Sequence, residues 1–174
     1  MKLVTGLGWI PAMGMSAFIM ALVFPVVALD NQGERETLAG LTGVGVLVEE
    51  MNPDAEKDGL ARSTLQTDVE LKLRQAGIRV LSKDEWLAAP GRPSLYLNVN
   101  TFSRTGLYAY CILLKVKQRV TLIRNLATTS WGTTWDSRGF MGTVGADNLH
   151  TVRDDVRDQV DQFINAYLAA NPKR

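Results

Sequence analysis

The chain predicts an α+β fold, a two-layer sandwich in which two long helices cover one face of a mixed sheet of about five strands. Three observations carry this. A strand pattern and a helix pattern alternate near the start, a long two-residue alternation fills the middle, and a strongly amphipathic helix closes the chain. The predicted order is β-α-β, a short extra helix, β-β-β and a final α.

The first stretch stands apart from that domain. Lys2 is the single charge before Asp30, and an apolar run over residues 9–27 ends in Val26, Val27 and Ala28. A short positive start, an apolar centre and a small-residue end form the pattern of an export signal over residues 1–28, cleaved after Ala28. The expected location is therefore periplasmic or secreted. The competing reading is an uncleaved inner-membrane anchor over residues 3–29, because a span needs about 20 apolar residues. Pro11, Pro25, Gly6, Gly8 and Gly14 weigh against it. Cys111 is the one cysteine in the chain, so none follows the apolar run to carry a lipid.

Residues 29–42 read as a polar N-terminal tether and residues 43–174 as a single α+β domain. Residues 43–50 alternate, with Val44, Val46 and Val48 on one side, and predict a mostly buried strand. Asn52, Pro53 and Asp54 end it, since proline has no amide to donate. A helix is predicted over residues 60–76 on the stripe Ala61, Leu65, Val69, Leu73 and Ala76. Gly77 supplies the left-handed residue after the helix, and Ile78 the apolar residue that follows it. Residues 78–81 are predicted as a second strand, parallel to the first, in a right-handed βαβ unit.

Ser82 and Glu85 form a capping box, so a short helix through Trp86 and Leu87 should stop before Pro90. Residues 95–99 predict a third strand, and Arg104, Thr105 and Gly106 a turn. Over residues 107–124, Tyr108, Tyr110, Ile112, Leu114, Val116, Val120 and Leu122 face one way and Lys115, Lys117 and Arg119 the other. Gln118 breaks the alternation, as a bulge or as a polar residue near the sheet end. Residues 128–135 return as the fifth strand. The last helix, over residues 148–170, carries the stripe Leu149, Val152, Val156, Val160, Phe163, Ile164 and Tyr167. Asp147 or Asn148 is expected to cap it, and Asn171 with Pro172 to end it.

Composition narrows the function. Without Lys2, the 19 basic side chains fall level with the 18 acidic ones. Neutrality disfavours nucleic-acid binding, which needs a basic surplus against phosphates. A single cysteine makes no internal disulfide, and Cys111 in its apolar run reads as a buried, inert thiol. One histidine and one cysteine are too few for a zinc site, and no metal or cofactor is expected. Residues 54–59 imitate the opening of a calcium loop, but the closing glutamate position holds Leu65.

No nucleophile elbow is present, and His150, the sole conventional base, falls in the first turn of the last helix, a usual place for a surface residue. The adjacent acids Glu49 and Glu50, and Asp154 and Asp155, point apart and make no carboxylate dyad. Residues 139–145 match a phosphate-cradling loop in glycine content alone; a flexible turn is the simpler reading.

Trp131, Gly132, Thr133, Thr134 and Trp135 form the most suggestive motif. On a strand the two tryptophans share a face about 13 Å apart and offer a stacking surface; the competing reading packs at least one beneath the terminal helix. The row Lys115, Lys117 and Arg119, beside Tyr96 and Asn98, lies on the sheet's other face. Such a row either keeps the sheet soluble or contacts an anionic partner or headgroups. Lys115, Lys117, Arg119, Trp131, Trp135 and Tyr96 are the predicted partner-binding residues.

A resemblance follows from particular runs: Gly43-Val44-Gly45-Val46-Leu47-Val48-Glu49, then Asp54-Ala55-Glu56-Lys57-Asp58-Gly59-Leu60, then residues 70–81 and residues 163–172. These resemble exported bacterial proteins without an assigned activity. In topology, the unit ending Leu73-Arg74-Gln75-Ala76-Gly77-Ile78-Arg79-Val80 is similar to small periplasmic domains of envelope-assembly factors. Examples are the N-terminal domain of the Tol translocation protein TolB and the lipoprotein activators of cell-wall synthases. The resemblance implies a role in docking on partners and brings no catalytic residues.

The leading expectation is an exported, noncatalytic domain that binds another envelope protein, with membrane contact only through an uncleaved N-terminal segment. The alternatives are a periplasmic carrier of a small apolar or sugar ligand held between sheet and helices, and a hydrolase or transferase with an unfamiliar site.

Overall fold

The computed structural model describes residues 32–172, so the expected export signal over residues 1–28 and the start of the expected tether lie outside the described residues. Among the described residues, no helix is long and apolar enough to cross a membrane.

The elements run α1 (Gln32–Glu36), β1 (Gly45–Val48), α2 (Pro53–Lys57), α3 (Arg62–Gln75), α4 (Lys83–Ala88), β2 (Ser94–Arg104), β3 (Leu107–Leu122), β4 (Asn125–Asp136) and β5 (Phe140–Gly145). A 3-10 turn, Ala146–Thr151, then leads into α5 (Val152–Ala170). The sheet is mixed, as predicted. β1 and β2 are parallel, β2 and β3 antiparallel, and both β4 and β5 pair with β3.

One register relationship organises the sheet. β4 covers the second half of β3 and β5 the first half, end to end along the same edge. Three steps on β3, from Lys115 to Ile112, correspond to four on the partner side, from Asp136 to Phe140, so one residue is extra at the junction. Arg138 and Gly139 hold φ of 64° and 71° there, and the Ser137 amide bonds the Leu114 carbonyl at 3.0 Å. A second slip separates Val116 and Lys117, whose partners are Trp135 and Thr133, leaving Thr134 as the unpaired residue.

The inner face of the sheet and the stripes of two helices make the core. Val44, Val48, Leu95, Leu97, Ile112, Leu114 and Val116 bury against Leu65, Val69 and Leu73 of α3 and Val156, Val160 and Phe163 of α5. Arg153 grips Asp68 with two hydrogen bonds, 2.8 and 3.1 Å, and ties the helices together. The layer between sheet and helices is thus filled by side chains.

Several expectations are corrected. Residues 78–81 make a single parallel bridge, Val44 to Val80, rather than a strand, because the Ser82 capping box starts α4 at once. The full parallel partner of β1 is β2. Residues 139–145 are not a flexible turn: Phe140–Gly145 is β5, and Gly142 is required because a Cβ there would strike the Tyr110 phenol.

The lead before β1 is packed rather than loose. Leu38 is fully buried, the Asn171 side-chain amide donates to its carbonyl, and the Tyr167 hydroxyl donates to the Leu41 carbonyl. Residues 54–57 belong to the short helix α2, capped by the Asn52 side chain. Neither Asp147 nor Asn148 caps α5, which begins at Val152 after the 3-10 turn.

Candidate functional site

Alternation along β2 and β3 sends every second side chain away from the helices. Tyr96 and Asn98 from β2, and Lys115 and Lys117 from β3, emerge together because Tyr96 stands opposite Lys115 and Ser94 opposite Lys117. The Lys117 ammonium sits 3.5 Å from the centre of the Tyr96 ring, a cation–π contact. The Tyr96 hydroxyl is pushed above its ordinary pKa, first by its hydrogen bond to Glu49 just after β1 and then by burial. A line of cation, aromatic ring and carboxylate therefore crosses three adjacent strands.

Arg119 is exposed on the same face, and its guanidinium donates to the Thr129 hydroxyl at 2.9 Å. Its backbone amide donates to the Gly91 carbonyl at 2.7 Å, so the loop after α4 already pairs with β3 before β2 begins. Lys115 is half-buried and in register with Asp136 of β4.

The tryptophans divide. Trp131, opposite Arg119, lies on the outer face, half-exposed, and stacks on Trp86 of α4 with centroids 5.9 Å apart and planes within 5°. Trp86 lies over Gly45 of β1, donates from its indole N–H to the Arg92 carbonyl, and has the Arg92 guanidinium 5.9 Å from its ring. Trp135, opposite Val116, is 4% exposed and meets Phe163 of α5 edge-on at 5.4 Å. The reading that packs at least one tryptophan beneath the terminal helix holds for Trp135: unpaired Thr134 shifts the alternation between the two rings, so Trp135, predicted also as a partner-binding residue, is core rather than contact surface.

The structure thus brings together Tyr96, Lys115, Lys117, Arg119 and Trp131, and removes Trp135. It adds Glu49, Trp86 and Leu47, which sequence reasoning did not assign; Leu47 is exposed on β1 beside Tyr96. A recess of about 260 Å³ between β1 and α4 borders this face and includes Gly45, Leu47, Ser82, Lys83 and Trp86 in its lining. Farther along, Phe102, Leu107 and Met141 are exposed on the same face.

Other polar groups serve local structure. Asp154 pairs with Arg157, while Asp155 accepts from the Tyr110 hydroxyl, so these neighbouring acids have different partners. The Tyr108 hydroxyl bonds Asp58 at 2.6 Å, which pushes its pKa up to about 12. His150 is exposed in the 3-10 turn. Among the described residues, no group of three or more His, Cys, Asp and Glu side chains is placed to hold a metal ion.

Comparison of the chain with protein-family models, with curated proteins and with solved structures gave no match.

Proposed function

We propose that this is an exported, noncatalytic domain that binds another protein of the cell envelope through the outer face of its sheet. The observation that carries the reading is electrostatic. Residues 107–135 contain Lys115, Lys117, Arg119 and Arg124 and no carboxylate, and three of these cations share the face that α3 and α5 leave uncovered. A sheet face that carries Lys115, Lys117 and Arg119, with Glu49 and Asp136 as the carboxylates beside them, is suited to an acidic partner surface.

Aromatic groups strengthen the same reading. Trp131 and Trp86 form a stacked pair beside the cations, and the Lys117 ammonium lies over the Tyr96 ring. Aromatic anchors that lose little side-chain freedom on binding are typical of interface centres. The likeness to docking domains of envelope-assembly factors points the same way.

The test is crosslinking in the native envelope followed by capture. A discrete partner is expected, and it should be lost with Lys115→Glu/Lys117→Glu, whose fold is checked by circular dichroism. Recovery of abundant bystanders alone, or an unchanged partner with the double variant, refutes the reading.

A further inference from the structure

Beyond the inner part of the sheet, β3 and β4 continue as a two-stranded arm whose end carries the most exposed apolar side chain of the described residues. Ile123, in the turn between the strands, is 94% exposed, and Leu126 just after it is 74% exposed. Residues 123–131 are exposed throughout. Neighbouring aliphatic side chains at the end of a projecting hairpin contribute nothing to the core, and keeping them in water has a cost.

The charges of the arm are one-sided. Arg124 lies between Ile123 and Leu126, Arg119 lies along the arm, and no carboxylate occurs from residue 107 to residue 135. An apolar end with Arg124 in its turn and Arg119 farther back along the strand, followed by tryptophan and tyrosine, follows the depth profile of an anionic bilayer: hydrocarbon, then phosphate, then the aromatic interface.

The place where the chain enters the fold agrees with this. Thr37, just after α1, donates to the Thr134 carbonyl and accepts from the Gln118 side chain, so the segment following the apolar run of residues 9–27 joins the domain at the base of the arm.

We infer that the β3–β4 arm docks on an anionic lipid surface, with Ile123 and Leu126 entering the bilayer boundary and Arg119 and Arg124 contacting lipid phosphates. Ile123, Arg124 and Leu126 lie outside the patch proposed for a protein partner, with Arg119 at the border of the two surfaces, so the two can fail separately.

The probe is the full chain in protein-free vesicles, with Cys111→Ser and a solvatochromic fluorophore on Ile123→Cys, or independently on Leu126→Cys. Both positions are exposed, so labelling leaves the core intact. In phosphatidylglycerol vesicles the expected result is a blue-shifted emission that lipid-borne quenchers reduce. In phosphatidylcholine vesicles no shift is expected, and the same label on Ser63→Cys, exposed on α3, stays unshifted in both. Arg124→Glu should abolish the shift while leaving capture of the protein partner intact.

Unshifted emission at both positions in the anionic vesicles overturns the inference. So does an equal shift in the two lipids, which would be hydrophobic adsorption without headgroup recognition. A shift that appears only after a partner protein is added also overturns it, by assigning the arm to that protein.

Discussion

Trp131 and Trp135 occupy one strand four residues apart, yet Trp131 stacks on Trp86 at the outer face while Trp135 packs on Phe163 in the core. The unpaired Thr134 between them produces this division. Its hydroxyl accepts from the Gln118 side chain at 2.8 Å, and its carbonyl accepts from Thr37.

Their substitutions should therefore differ sharply. Trp135→Ala empties a core site and is expected to cost about 3–5 kcal/mol. Trp131→Ala removes a half-exposed ring and should cost about 1 kcal/mol or less. Urea unfolding of the two variants checks this; equal losses would place both rings in equivalent surroundings.

Gly45 controls the outer aromatic pair. A Cβ at this position would stand 2.9 Å from Trp86 Cδ1, so Gly45→Ala must displace the indole. The expected outcome is loss of the near-ultraviolet circular dichroism of the stacked tryptophans with the far-ultraviolet spectrum unchanged. Partner capture should weaken in parallel, since the stack borders Lys117 and Tyr96.

Tyr110 should give the fold an alkaline limit. Burial first, and then its hydrogen bond to Asp155, raise its pKa from 10.0 to about 12. Because the folded value lies above the unfolded one, the native state holds this proton more tightly. The contribution is complete below pH 10 and is lost as pH rises towards 12. Tyr108, raised chiefly by Asp58, adds a parallel loss over the same window. Chemical unfolding from pH 9 to 12 should show falling stability, and Tyr110→Phe should flatten the slope.

Asp68 joins the two long helices. It accepts two hydrogen bonds from Arg153 and lies 3.6 Å from Arg157, with its side chain 16% exposed. Asp68→Asn should cost about 1–2 kcal/mol, because a bidentate, charge-assisted contact becomes a weaker neutral one. Asp154→Asn, at a more exposed pair within α5, should change stability by less than about 0.5 kcal/mol. Thermal unfolding of the two variants compares the losses.

The elements that were legible share a local cause. α3 was read from Leu65, Val69 and Leu73, all buried, and from Gly77, which adopts φ of 78°. The Ser82 and Glu85 box forms as read, and the turn at Thr105 and Gly106 joins β2 to β3. β5 was missed because Gly139, Gly142 and Gly145 look like a loop; the demand for Gly142 comes from Tyr110, distant in sequence. Most of the candidate site was visible as the alternation of Lys115, Lys117 and Arg119 opposite the apolar face of β3. Glu49, Leu47 and Trp86 were not, since they reach it only through strand order and the placement of α4.

The sequence by itself determined the α+β class, the two main helices, the apolar face of β3 and the cationic row opposite, because 3.6- and two-residue periodicities and caps act within a few residues. Tertiary structure alone decided that β4 and β5 share one edge of β3, that Thr134 parts the two tryptophans, and that residues 32–42 close against α5. Those outcomes depend on pairing register and on packing between segments far apart in the chain, where one extra residue reverses every side chain beyond it.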